Sequence, residues 1–289
     1  MKGIYAMTFK GLSEFRKKPG LLWQALKKFN EDSGFFLSAG IAFNILISLI
    51  PFIMLLLALA GTYLNNSQEA IDHFHAYSNE IAPTMGPRVM KNLADVIRDR
   101  HIVGALGLVG LLWISTQVFS SMQIALNIVF GVQKKRPILR GIAVDLLMIV
   151  LVGCLLFLSM ILGSVAIFLQ GYHVQVPVAL GPTIQWTLKY LLPFILTCCM
   201  FSLIYEIVPN RKVPFTSALQ AALFAGVLWE LAKHLFAWYV LHLSRYSLYY
   251  GSLSTLAIFV LWVYYSSTIL VVGGEFAYFL QRDRQRPRA

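Results

Sequence analysis

Residues 102–133 read IVGALGLVGLLWISTQVFSSMQIALNIVFGVQ, a run without a single lysine, arginine, aspartate or glutamate. A helix needs about 20 apolar residues to cross the hydrocarbon core of a bilayer. This run exceeds that, and it is not alone. Residues 33–68, 146–188 and 246–274 are equally free of these four residue types.

Composition points the same way. The 289 residues are 58% hydrophobic and 13% charged, with a mean hydropathy of +0.68. Soluble domains carry about 25% charged residues, so this chain has too few to cover a wetted surface. The apolar runs are long and continuous. A membrane barrel would instead alternate polar and apolar residues over about ten positions per strand. Only helices and closed barrels satisfy the backbone in lipid. The sequence therefore predicts an all-α polytopic bundle of six transmembrane helices, over about 35–63, 103–129, 141–169, 184–207, 215–242 and 252–280.

Basic residues orient the bundle. Before the first span stand Lys2, Lys10, Arg16, Lys17, Lys18, Lys27 and Lys28. The links and tail on the same side add Lys134, Lys135, Arg136, Arg140, Arg211, Lys212, Arg282, Arg284, Arg286 and Arg288. The opposite side has Arg88, Lys91, Arg98, Arg100 and Arg245. Positive residues mark the cytoplasmic face, so both termini are expected inside. The organisation expected is a basic flank over 1–34, a six-helix domain over 35–280 with an outside segment at 64–102, and a basic tail over 281–289.

The net charge of +11 then reflects topology, together with attraction to anionic lipid headgroups. The partners expected are membrane lipids, and no nucleic acid. A nucleic-acid surface would interleave basic and stacking aromatic residues on a solvent face, whereas these basic runs are short and flank spans. Within the flank, Leu22, Trp23, Leu26 and Phe29 share one helical face, with Lys27 and Lys28 away from it. That spacing predicts a short helix in the membrane interface. The aromatics Trp186, Tyr190, Trp238, Tyr239, Tyr246, Tyr249 and Tyr250 collect at the outer ends of the last three spans, as an interfacial belt would.

Polar groups inside the spans are the candidate sites. GVLWELAKHLFAW, residues 226–238, carries Glu230, Lys233 and His234. Glu230 lies roughly 22 Å along the fifth span, near the bilayer midplane. Lys233 and His234 follow three and four residues later, on the same face. A lone charge there costs about 2.5–3.5 kcal/mol, so this face is expected to turn into the bundle or a hydrated pocket. It serves either as a headgroup or proton-coupling site or as a structural ion pair. Asn44 is the polar residue of the first span. Asp145, Glu206 and Glu275 lie nearer the cytoplasmic ends of their spans. They form either a polar vestibule or interfacial ion pairs with Arg140, Arg211 and Lys212.

Small residues and proline set the packing. Ser38, Ala39, Gly40 and Ala42 allow a close neighbour. Pro51 removes one helical hydrogen bond and predicts a kink, with Ser48 placed to help the freed carbonyls. Gly273 and Gly274 allow close approach or a bend before Glu275. Cys154, Cys198 and Cys199 fall inside spans with no metal or redox spacing. Among the histidines only His73 and His75 are close, which is too little for a metal centre, and neither metal nor cofactor is expected.

Four blocks resemble the YihY/BrkB family of bacterial inner-membrane proteins, once labelled ribonuclease BN. They are AFNILISLIP at 42–51, LLWISTQVFSSMQIALNIVFGV at 111–132, LWELAKHLFAWYV at 228–240 and YGSLSTLAIFVLWVYYSSTILVVGGEF at 250–276. Asn44 stands where the family commonly has an aromatic residue, and Gly274 where it has alanine. The resemblance covers about residues 35–280 and implies a six-helix inner-membrane protein connected with envelope integrity, virulence or lipid-related transport. It supplies no catalytic residues. Phosphodiester hydrolysis would need clustered metal ligands or an acid–base pair in water, which this sequence lacks. The function expected is a non-enzymatic carrier of an amphiphilic, lipid-like substrate through a polar intramembrane cavity. The alternative is an envelope scaffold that transports nothing.

Overall fold

The computed structural model describes residues 20–65, 99–132, 136–171, 187–243 and 252–285. The flank before Gly20, most of the 64–102 segment with His73 and His75, Lys134 and Lys135, the 172–186 link with Trp186, the 244–251 link with Tyr246, Tyr249 and Tyr250 of the expected belt, and the last residues of the tail lie outside the described residues. The described residues form seven α-helices and no strand. They are α1 (Gly20–Glu31), α2 (Gly34–Asn65), α3 (Arg100–Val129), α4 (Ile138–Gly171), α5 (Leu192–Ile207), α6 (Phe215–Leu243) and α7 (Ser252–Gln285).

Five helices are long and apolar enough to cross a membrane: α2, α3, α4, α6 and α7. The predicted span over 184–207 is built differently. A π-helical turn, Thr187–Leu191, leads into the 16 residues of α5. Pro193 stands at the start of α5. Its ring nitrogen cannot donate back into the preceding turn, and a wider turn accommodates that loss.

The chain folds as two compact units, residues 43–118 and residues 1–42 with 119–289. In the smaller unit, Gly104, Gly107 and Gly110 line one side of α3 at a spacing of three. A Cβ on Gly107 would come within 2.9 Å of the Leu55 nitrogen, and one on Gly110 within 3.2 Å of Pro51 Cβ. The stripe lets α3 lie almost on the backbone of α2, and association in lipid rests on this kind of packing. Helix α2 runs uninterrupted through Pro51. Ser48 donates to the Ile45 carbonyl at 2.6 Å, not to the Ile47 carbonyl that Pro51 leaves free.

In the larger unit α6 packs against α5 and α7, and α7 against α1. Ala218, Ala221, Ala222 and Ala225 form a fully buried stripe on α6. Buried residues gather at the end where α3 and α5 finish and α6 begins: Leu126, Val129, Phe201, Tyr205, Val271 and Ala277 among them. Farther along, Leu231, Leu235, Trp238, Leu256 and Phe259 are exposed.

Helix ends are closed by local chemistry. Gly131, at φ 63°, ends α3. The Val132 amide returns to the Asn127 carbonyl at 2.8 Å and that of Gly131 to Ile128 at 3.0 Å, a Schellman closure that needs a left-handed residue. Between α1 and α2 the left-handed position is held by Ser33, at φ 56°.

Candidate functional site

Glu230 and Lys233, one turn apart on α6, form an ion pair of 2.7 Å. Their side chains remain 32% and 41% exposed. His234 is exposed. The charged face is therefore partnered locally but not sealed inside protein. An aromatic ladder runs past it. The Trp229 ring lies 6.1 Å from Phe201 and 5.3 Å from Trp262, which stands 4.6 Å from Phe236. Asn44 is half-buried in the smaller unit.

The three acids of the expected vestibule have separate surroundings. Asp145 is buried on α4 and accepts a hydrogen bond from Ser120 of α3 at 3.1 Å. Glu206 is half-buried near the end of α5. Glu275, on α7, has no exposed surface at all. The expected basic partners are directed elsewhere. Arg211 donates to the Phe130 carbonyl, and Arg140 is exposed. The cation beside Glu275 is Lys28, from the flank helix, at 3.1 Å.

Lys28 lies on the buried side of α1, not on the solvated side expected from apolar spacing. Phe29 and Ala25 are buried, and Lys28 turns inward with them. Leu22, Trp23 and Leu26 point outward instead, Trp23 being 72% exposed. The Lys28 ammonium pairs with Asp32, donates to the Val129 carbonyl at 2.8 Å, and lies 4.7 Å from the centre of the Tyr278 ring. One side chain thus joins α1, α3 and α7. A Lys–Asp pair at i,i+4 is visible in the sequence; its meeting with α7 is not.

The glycines of α7 serve contact. A Cβ on Gly273 would stand 2.1 Å from the Tyr205 hydroxyl oxygen, and one on Gly274 2.7 Å from Leu126 Cδ2. Tyr205 is fully buried and donates to the Leu270 carbonyl at 3.0 Å. Gly40 differs. A Cβ there meets nothing within 4 Å, while its neighbours Ser38, Ile41 and Ala42 are buried. The close contact expected at Gly40 is made by those neighbours.

The basic end is further knitted by polar bonds. Asn127 accepts from the Asn210 amide at 2.8 Å, and Gln123 donates to the Asn210 side chain at 3.0 Å. Arg136 donates to the carbonyls of Ile207 and Pro209. Burial lowers the pKa of this guanidinium, with the nearby Arg140 charge second. Among the described residues no three histidine, cysteine, aspartate or glutamate side chains come together to hold a metal.

A family model described as "Virulence factor BrkB" matches residues 25–289. The chain belongs to the BrkB family. The match opens inside α1, so Lys28 and Asp32 fall within it. Relatives named UPF0761 membrane protein include one from Glaesserella parasuis, 31% identical over 201 residues, which covers 70% of this chain and 70% of the relative. One from Pseudoalteromonas atlantica is 27% identical over 87% of this chain and 83% of its own length. One from Ralstonia nicotianae is 29% identical over 90% of this chain and 58% of its own length. No solved structure matches. The BrkB-family chain is thus an integral, multi-pass membrane protein, and neither the family description nor the relatives' names state a reaction.

Proposed function

We propose that this BrkB-family protein is a carrier for an amphiphilic, lipid-like substrate, with the Glu230–Lys233 face of α6 lining its polar path. One observation carries the reading: the pair sits mid-span yet keeps about a third of its surface open. Exposure to acyl chains would be costly at that depth. A hydrated groove removes the cost, and a groove with one positive and one negative group suits a charged headgroup whose tails stay in lipid. The aromatic ladder beside it offers an apolar wall.

The proposed topology is six crossings with both ends on the cytoplasmic face of the inner membrane. Lys27, Lys28, Arg136, Arg140, Arg211, Lys212, Arg282 and Arg284 lie at one end of the helices, which supports that orientation. The π turn and α5 together give a sixth element about 30 Å long. The outward face of α1, with Leu22, Trp23 and Leu26, would rest in the interface among anionic headgroups.

The test is lipid movement in vesicles reconstituted with the intact protein, Glu230→Gln and Lys233→Met. Movement lost at normal membrane abundance is the expected result. The scaffold alternative draws on the local character of the pair, since Lys233 satisfies Glu230 without help from another helix. It wins if the intact protein moves no lipid in vesicles of several compositions.

A further inference from the structure

Three ionisable side chains meet where α1 docks: Lys28 and Asp32 from α1 and Glu275 from α7. Two carboxylates therefore face one ammonium. Lys28 directs its hydrogen bonds to Asp32 and to the Val129 carbonyl. It stands 3.1 Å from one Glu275 oxygen, and neither oxygen of Glu275 reaches the surface.

No other described cation makes up the difference. From α3 the facing group is the Val129 carbonyl, the negative end of a dipole, and from α7 itself the Tyr278 ring. The Phe215–Gly226 part of α6 contains no ionisable residue. On α5, Tyr205 donates to Leu270 and Glu206 is another acid. Lys27 pairs with Glu31, Arg211 goes to the Phe130 carbonyl, Arg136 to Ile207 and Pro209, and Arg284 to Thr216 and Gln220. Lys212, Arg140 and Arg282 are exposed at the rim.

An ionised Glu275 would leave one buried negative charge in excess, and desolvating a charge costs several kcal/mol even after relaxation. We propose that Glu275 holds a proton, and that the Lys28–Asp32–Glu275 junction is a proton-binding site whose occupancy keeps α1 docked. With the proton in place, Lys28 and Asp32 form a neutral pair and Glu275 a neutral acid. When the proton leaves, passing to water beside the partly exposed Asp32, the excess charge is relieved by hydration. Hydration means that α1 lifts from α7. The site is independent of any carried substrate.

Infrared spectroscopy of the reconstituted protein tests this through the carbonyl-stretch band of a protonated carboxyl. The intact protein is expected to show that band at neutral pH, and Glu275→Gln to lose it. Asp32→Asn is expected to lose it too, because Glu275 then has the lysine charge to itself and gives up its proton. The amide of Glu275→Gln mimics the protonated acid, and Asp32 is at the rim, so both variants are expected to fold. No Glu275-dependent band at neutral pH overturns the proposal, and so does a band that persists unchanged in Asp32→Asn. Hydrogen exchange of the α1 amides, corrected for the intrinsic rate, tests the docking. It is expected to speed up as the band vanishes on raising pH, and to stay level in Glu275→Gln. An equal response in that variant overturns the link between proton and docking.

Discussion

Lys28 and Lys233 each stand beside a glutamate, at 3.1 and 2.7 Å, but the shorter contact is the less consequential. Lys233 and Glu230 are one turn apart on one helix, so their pairing fixes nothing that α6 does not already fix. Lys28 reaches from α1 to the carbonyl end of α3 and to α7. The surroundings differ accordingly. The basic end of the larger unit is dense, with buried side chains and directed polar bonds, whereas the Glu230 turn is flanked by exposed Leu231 and Leu235. A local pair stays partly open, whereas a long-range contact on a buried group holds helices together.

Removing the lysines one at a time measures that difference. Lys28→Met strips the partner from Asp32 and from the Val129 carbonyl while keeping the stem's packing. Breaking a buried pair at one partner costs about 3–5 kcal/mol. Asp32 is partly exposed and can turn to water, so the low end, about 3 kcal/mol, is expected in the unfolding free energy measured in detergent. Lys233→Met removes a half-exposed helical pair, of a class that contributes about 0.2–0.5 kcal/mol in water, and should leave the unfolding midpoint nearly unchanged. Equal losses would erase the contrast between the two regions.

A second, smaller effect concerns how the dense end closes. Gly273→Ala places a Cβ against the Tyr205 hydroxyl and 3.0 Å from Ala225 Cβ. Overpacking of a tight core costs about 1–3 kcal/mol, and about 2 is expected here, again from unfolding in detergent. Tyr205→Phe in the same chain removes the nearest oxygen. Part of the loss should therefore return, and the two changes should not add. Gly40→Ala, which meets nothing nearby, is the control and should be neutral. A Gly273→Ala protein as stable as Gly40→Ala would show that the close approach is not tight.

How much of this was legible in the sequence follows from what each signal measures. Charge-free runs and basic flanks report on lipid and water, so the all-α membrane bundle and its basic end were readable. The Glu230–Lys233 pair was readable too, because helical spacing fixes it locally. Lys28 was misplaced because apolar periodicity assigns a lysine to the wet face, and only the fold reveals a carboxylate waiting inside. Gly273 and Gly274 were readable as small, but not as the cradle of Tyr205, since that requires knowing which helix approaches. The glycine stripe of α3 lay in plain view at 104, 107 and 110. Spacing alone does not say which helix such a stripe meets.

A smaller expected effect is a gain. Ser33 holds a left-handed conformation, at φ 56°, in the turn that aims α1 at α7. Its carbonyl accepts the first amides of α2, from Phe36 at 2.9 Å and Leu37 at 3.1 Å, so the turn cannot relax without unwinding the helix start. A non-glycine residue in this region carries roughly 1–2 kcal/mol of steric cost. Ser33→Gly removes it but adds freedom to the unfolded chain. The net expected is about 0.5 kcal/mol of stabilisation, seen as a small rise in unfolding midpoint and slower exchange of the α1 amides. Gly34 next to it is the opposite case. A Cβ there would lie 2.2 Å from the Phe29 ring, so Gly34→Ala should push Phe29 out and loosen α1. If Ser33→Gly loosens α1 as well, the side chain of Ser33 matters more than its backbone, and the strain assigned to this turn is not what positions Lys28.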